Sequence, residues 1–284
     1  MCLLHWLHGL QRERGLELFA AHYEHGLRGE ESLRDAEFVR DQCMRLGVPL
    51  VQGSGDVKAH ADAEKIGIEE AARTLRYRFL DETADRLSCS RIATAHNADD
   101  NAETVLMNLC RGSGTRGLAG IPPRRGRLIR PLLLTGREEI EAYLQENGIP
   151  HVEDSSNASD SCTRNRIRHR ILPLLREENP SFLNAVSRTA ELLRADDDCL
   201  NRMARQFIDS CMEDRSLPSK ALAGLDGPVA ARVVRLLCGS GVSMERTRAV
   251  LRFAEGTEKG VLELPGGKKI LRQNGRLHFP EERN

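Results

Sequence analysis

The sequence predicts an α/β protein, with a parallel sheet flanked by helices, a helical connector and a small α+β domain at the C-terminal end. Three observations predict it. Short apolar runs alternate with helical stripes through the first half. A mostly polar helical pattern follows. Pro265-Gly266-Gly267 then separates two apolar-rich runs, Val261–Leu264 and Ile270–Arg272, which is hairpin chemistry.

In chain order, Leu16–His22 reads as a buried strand. Ser32 can cap a helix whose Ala36, Val39, Cys43 and Leu46 share one stripe, and Gly47 closes it. Val48-Pro49-Leu50-Val51 begins a second strand, and its proline points to an edge or a strand start. A helix spans Ile68 to Leu87, with Ala71, Ala72, Leu75, Phe79, Leu80 and Ala84 facing inward. Arg91–Ala95 is a short strand ending at His96-Asn97-Ala98-Asp99-Asp100, where a helix starts that carries Val105, Leu106 and Leu109 inward. In such sheets the functional site lies at the carboxyl ends of the strands, where His22 and His96 are both expected. The pattern from Phe182 to about Met212, with Asp196-Asp197-Asp198 in its middle, is the connector. Domains are thus expected at 1–182, 183–214 and 215–284.

At 284 residues, 40% hydrophobic and 30% charged, the chain can fill one large or two modest cores. Lys plus Arg and Asp plus Glu are both 42, so net charge gives no sign of a basic nucleic-acid binder. No run nears the roughly 18 apolar residues of a membrane span. Met1–Leu7 is a short apolar patch with no cleavage site behind it, and a cytoplasmic location is expected. The eight cysteines are irregularly spaced, with no C-x-x-C. They read as reduced, packed thiols and not as a disulfide or zinc framework.

The most informative segment is His96–Thr104. Asp100 and Glu103 lie three apart in a helix's first turns, so their carboxylates share a face beside His96. Two carboxylates plus substrate phosphates can hold Mg²⁺. The same acids, with Asp99, could equally cap the helix and complement its dipole. The second feature is arginine density. Residues 111–130 hold six (111, 116, 124, 125, 127 and 130) and no acid, and residues 164–170 hold four more. Such clusters suit phosphates, a nucleotide or RNA, while a solvated loop is the alternative for any one of them. Gly112-Ser113-Gly114-Thr115-Arg116-Gly117 matches G-x-G-x-x-G but follows a helix, so the dinucleotide reading is rejected.

The stretch from Ala93 to Pro122, ATAHNADDNAETVLMNLCRGSGTRGLAGIP, closely resembles the tRNA(Ile)-lysidine synthase family of the N-type ATP pyrophosphatase superfamily. His25–Ser32, Glu69–Arg73 with Arg76-Tyr77, Asp154–Asn157 and Arg164–Arg168 resemble it too. The likeness is strong over about residues 1–190 and less specific towards Leu264–Gly267. It implies an adenine nucleotide alpha hydrolase-like sheet and a small tRNA-facing C-terminal domain.

It further implies ATP-dependent ligation of free lysine to C2 of wobble cytidine 34 in a tRNA(Ile) with a CAU anticodon. ATP adenylates the C2 oxygen and releases pyrophosphate, and the lysine amine then attacks C2 and expels AMP, with a nearby carboxylate as base. ATP and Mg²⁺ are the implied cofactors. Asp100 and Glu103 are implied for metal and charge handling. His96, Arg168, Arg73, Arg76 and Arg111 are implied for phosphate or tRNA contacts, and His22 and His25 for the nucleotide. A homodimer is left open. The alternatives are a non-catalytic tRNA-binding relative and a related tRNA thiolation enzyme, although the latter generally depends on paired cysteines. The family's Ser-Gly-Gly-x-Asp-Ser loop precedes its first helix, inside which this sequence starts, at Met1–His5. Either the strand and loop are encoded upstream of Met1, as an apolar run followed by Ser-Gly-Gly-x-Asp-Ser, or the product is inactive as written.

Overall fold

The computed structural model describes residues 1–26, 29–152, 162–239 and 242–280. Leu27, Arg28 and the motif Asp154–Asn157 lie outside them. The chain divides into two compact units, Met1–Ala190 and Glu191–Asn284.

The first unit opens with α1 (Cys2–Arg14), closed by Gly15 in the left-handed region. Strand β1 (Ala20–Glu24) follows, then α2 (Glu30–Leu46) and β2 (Leu50–Ser54). β1 and β2 pair in parallel, with His22 opposite Gln52. The ladder begins where the Ala20 N–H donates to the carbonyl of Pro49, 2.9 Å away. Pro49 needs only to accept there, so the strand-start expectation holds. The ladder also starts later than the apolar run suggests. His22 is therefore mid-strand, and the carboxyl-end position belongs to His25; the strand-end expectation for His22 is corrected. Helix α2 likewise begins two residues before Ser32, at a Gly29 N-cap with φ 55°, a conformation that glycine adopts without penalty. At its other end, Gly47 is left-handed, and its N–H bonds the last-turn carbonyls of Cys43 and Met44.

Helices α3 (Val57–Glu64) and α4 (Ile68–Arg86) come next. The Phe79 ring of α4 packs directly over Gly53 of β2, in space that any Cβ would occupy. Strand β3 (Ile92–Ala93) leads to α5 (Ala98–Cys110) and the short α6 (Thr115–Leu118). Two-residue strands β4 (Arg124–Arg125) and β5 (Leu128–Ile129) form a hairpin, with β5 parallel to β3. Its turn is tied to α4 by Arg127, 2.6 Å from Asp85 and 3.6 Å from Asp81. This hairpin lies within the arginine-dense stretch, and the sequence reading did not find it.

The unit continues with α7 (Arg137–Glu146) and α8 (Thr163–Arg166), then a π-helical turn (Ile167–Ile171) running into α9 (Leu172–Glu178). The wide turn has a local cause. Pro173 has no N–H to give the preceding turn, and the Leu172 N–H bonds the carbonyl of Ile167, five residues back. Ala102, Ile167 and Leu172 form a buried apolar cluster that Leu106 and Phe182 flank.

Helix α10 (Phe182–Cys211) is the expected long helix, and the division between units falls within it. In the second unit, residues from Leu200 onward also pack into a core. That core includes Ala204, Leu217, Leu222, Val233, Val234, Val250, Ile270 and Leu277. Around it stand β6 (Ser216–Pro218), α11 (Ser219–Ala223), α12 (Gly227–Cys238) and α13 (Met244–Glu255). Strands β7 (Gly260–Glu263), β8 (Lys269–Gln273) and β9 (Arg276–His278) complete an antiparallel sheet of order β6-β9-β8-β7. The hairpin expected around Pro265–Gly267 is β7–β8.

The acidic run in α10 is not uniformly solvated. Asp197 is buried against Arg232 of α12, and Asn201 donates to its second oxygen at 2.9 Å. Removing one partner of a buried pair costs about 3–5 kcal/mol. Asp197→Ala should therefore lower the urea midpoint of the second unit strongly, whereas exposed Asp196→Ala should leave it almost unchanged. Equal midpoints for the two variants would show that Asp197 is solvated.

Candidate active site

The site grows from the junction of β3 and α5. Beyond β3, the Thr94 N–H still bonds the Ile129 carbonyl at 3.0 Å, which holds the strand's carboxyl end against β5. Thr94 Oγ1 then lies 2.9 Å from His96 Nδ1 and orients the imidazole. Asn97 ends the strand and caps the helix. Its Oδ1 accepts from the Asp100 N–H at 2.9 Å, and its own N–H donates to Asp100 Oδ2 at 3.1 Å. This reciprocal box satisfies two otherwise orphaned donors.

Asp99 faces the opposite way. One of its oxygens accepts from Arg176 at 2.6 Å and the other from the Arg137 N–H at 2.8 Å, which moors α7 and α9 to the start of α5. Asn101 accepts from the Ile121 N–H at 2.8 Å and so holds the loop that follows α6. The glycine-rich Gly112–Gly117 segment is the turn after α5 and the start of α6, bound through Asn108 to the Gly117 carbonyl, as its position behind a helix required.

Glu103 is the centre of the arrangement. Its side chain has no solvent exposure, and both oxygens accept from arginine. Arg164 Nε lies 2.7 Å from Oε2, while Arg168 Nε and Nη2 lie 2.6 and 3.1 Å from Oε1 and Oε2. The remaining oxygen of Asp100 stands 3.6 Å from Arg168 and 3.9 Å from Arg164. Burial is the largest single influence and opposes the Arg168 charge, but the Glu103 hydrogen bond and the charges of Glu103, Asp100 and Asp99 together outweigh it and raise the guanidinium pKa.

Asp100 and Glu103 do share a helix face, yet the pair does not fit Mg²⁺. A divalent ion there would have to displace two guanidinium groups and the helix cap. Among the described residues, no group of three His, Cys, Asp or Glu side chains is placed to hold a metal. In this arrangement Asp100 caps α5 and Glu103 holds two arginines.

Arginines also dominate the field at His96. Burial first, and then Arg130, Arg73, Arg76 and Arg164, depress its pKa to about 4. The imidazole is therefore uncharged at neutral pH. Four guanidinium groups gathered at a strand's carboxyl end fit the phosphates of a nucleotide. Arg130, buried on the chain just after β5, was missed as a site residue; its only sequence signal was membership of the arginine-dense stretch.

The other expected residues fall elsewhere. Arg111 caps the far end of α5, about 20 Å of helix from its start, and is exposed. The structure does not bring it to His96. His22 is depressed by burial, while its charged neighbours Glu24 and Asp35 oppose that shift. His25 stacks edge-on against Tyr23 at 5.2 Å, and Tyr23 in turn meets Phe79 of α4 at 5.3 Å.

Such a fold and site define an α/β domain with arginines gathered at the carboxyl end of a parallel strand, an arrangement suited to phosphates. The PP-loop domain model matches residues 1–175, and the chain belongs to this family. It is 37% identical to a tRNA(Ile)-lysidine synthase of Geobacillus kaustophilus (strain HTA426), over 98% of this chain and 64% of that protein. It is 34% identical to the one of Bacillus subtilis (strain 168), over 96% and 61%. With the one of Dehalococcoides mccartyi (strain CBDB1) it shares 45% identity, over 67% and 42%. The chain thus spans about two fifths to two thirds of these relatives' lengths. In fold it is similar to the U34-tRNA thiolase NcsA from Methanococcus maripaludis with its 4Fe-4S cluster, at a TM-score of 0.56 and 19% identity, covering 68% of each chain.

Two outcomes are expected. Glu103→Ala should cost about 3–5 kcal/mol of stability in urea unfolding, because it leaves two guanidinium groups without their buried counter-charge; a loss below about 1 kcal/mol would equate the pair with an exposed one. His96 should titrate near 4 by NMR. Because its folded pKa lies below its unfolded value of 6.5, the unfolded chain binds more protons between those values, so stability falls as pH drops from about 6.5 to about 4. His96→Gln should flatten that decline.

Proposed function

We propose that this chain carries the catalytic domain of a tRNA(Ile)-lysidine synthase. Its reaction joins free lysine to C2 of wobble cytidine 34 in a tRNA(Ile) with a CAU anticodon, in the cytoplasm. One observation above the others supports the reading. The arginine-ringed His96 site, built from residues 73 to 168, lies in the stretch over which the chain is similar to several proteins of that name.

ATP, when bound, supplies the adenylyl group that makes C2 electrophilic. Arg73, Arg76, Arg130 and Arg164 would seat its phosphates, which is positioning plus electrostatic stabilisation. Glu103 keeps Arg164 and Arg168 directed at the site, and no magnesium ligand is assigned to it. Lysine must lose a proton to attack. Both Glu103 oxygens are engaged by arginine, so the proton is assigned to His96, which accepts it only once a seated anion has offset the arginines that help to hold its pKa near 4. The same arginines that depress His96 would be partly neutralised by a seated anion, which raises its basicity when the nucleotide is in place.

The test uses the full-length gene product with a tRNA(Ile) transcript carrying CAU, labelled lysine and ATP. ATP-dependent transfer of label to the RNA is expected, and none to a transcript with U34. Binding of tRNA without transfer would leave a non-catalytic relative, and sulfur incorporation would identify a thiolation enzyme. His96→Ala should reduce transfer at least about 100-fold, the usual contribution of a general base, and adding pyrophosphate to the wild type should move the His96 titration upward.

A further inference from the structure

Tyr77 of α4 stands in the middle of a group of arginines that the reaction does not fully use. The Arg73 guanidinium carbon lies 4.8 Å from its ring centroid, that of Arg76 5.5 Å and that of Arg125, on β4, 5.8 Å. All three are within cation–π range. Arg130 completes the group from behind. It is 5% exposed, its Nη1 donates to the Pro122 carbonyl, and its guanidinium adjoins the Tyr77 phenol.

Two polar atoms here are left over. Arg130 Nε is buried with no hydrogen-bond partner, and Tyr77 Oη, also buried, has only the adjoining Arg130 guanidinium beside it and no partner in good hydrogen-bond geometry. Buried polar groups in native proteins are nearly always paired, so an orphan calls for an explanation such as an absent ligand. Nor does a carboxylate balance the charge: among the described residues, Arg73, Arg76, Arg125 and Arg130 make no ion pair, whereas Arg127 of the same hairpin is held by Asp85. Burial lowers the Arg130 pKa; the adjoining Tyr77 phenol opposes that shift, while Arg125 and Arg73 add to it.

We propose that Arg130, Tyr77, Arg73 and Arg125 form a phosphate seat beside His96, in which the anion completes the hydrogen bonds left open on Arg130 and Tyr77. A phosphate group suits it because its several oxygens can accept from donors arriving on different sides, from α4 on one and from the β4–β5 hairpin on the other. The group could belong to the RNA backbone or to the nucleotide. The proposal shares Arg73 and Arg130 with the function proposed above, but Arg125 and Tyr77 have no part in that reading and are the residues to vary.

Arg125→Gln and Tyr77→Phe would be made in the full-length protein; the first is an exposed change and the second keeps the ring. Thermal unfolding checks the fold. Binding of a labelled tRNA(Ile) transcript would be measured across a KCl series, and ATP binding by calorimetry without RNA. If the seat takes an RNA phosphate, Arg125→Gln weakens tRNA binding about tenfold or more, as expected for a hydrogen bond to a charged group. Its log–log salt slope then falls by about 0.7–0.9, and Tyr77→Phe weakens binding to a smaller extent. If the seat takes a nucleotide phosphate, the losses appear in ATP affinity and the salt slope stays. Either pattern supports the seat. ATP and tRNA affinities within twofold of wild type for both variants would overturn it. Lysine transfer is read separately, so an inactive protein that still shows these shifts keeps the seat and loses only the proposed reaction.

Discussion

A single buried carboxylate organises the first unit. Glu103 sits on α5, while Arg164 and Arg168 arrive from 61 and 65 residues further along the chain. Nothing local brings them together. The apolar cluster of Ala102, Ile167 and Leu172 lies next to the same residues in sequence, so packing and charge act on one joint. The apolar part supplies most of the driving force. The ionic part supplies direction, because a guanidinium fork held on both oxygens has little freedom to swing.

The balance of charge over the whole chain conceals a sorting of its arginines. Arg127, Arg164, Arg168, Arg176 and Arg232 each have a carboxylate within 4 Å and hold elements together. Arg73, Arg76, Arg125 and Arg130 have none among the described residues. The first group is architecture, and the second leaves positive potential concentrated around His96 and Tyr77. Net charge counts both groups alike against the 42 acidic residues, which is why composition carried no information about the site.

How much of this was legible in the sequence followed the range of the forces involved. The junction of β3 and α5 could be read because strand, Asn97 cap and helix are all local signals. The β7–β8 hairpin was legible through Pro265–Gly267 for the same reason. Strands β4 and β5 were not: two residues each leave no period to detect, and the pairing of β5 with β3 is tertiary. The shared face of Asp100 and Glu103 was visible, but its partners were not, so a metal seemed the natural counter-charge where the fold supplies arginine. His22 was misplaced because an apolar run shows where a strand can form but not where its hydrogen bonds begin.

The wide turn at Ile167–Ile171 has a consequence for how this region can vary. Arg164 precedes it, Arg168 lies within it, and Leu172 follows. Removing one residue there would restore a regular helix, a local gain in hydrogen-bond geometry. It would also rotate everything on one side by about 100° relative to the other. Arg168 and the apolar anchor at Leu172 could then no longer face α5 together. Backbone regularity and the Glu103 clasp are therefore alternatives at this point. The chain accepts a looser backbone ladder to keep two side chains in phase, so length in this segment is more constrained than residue identity.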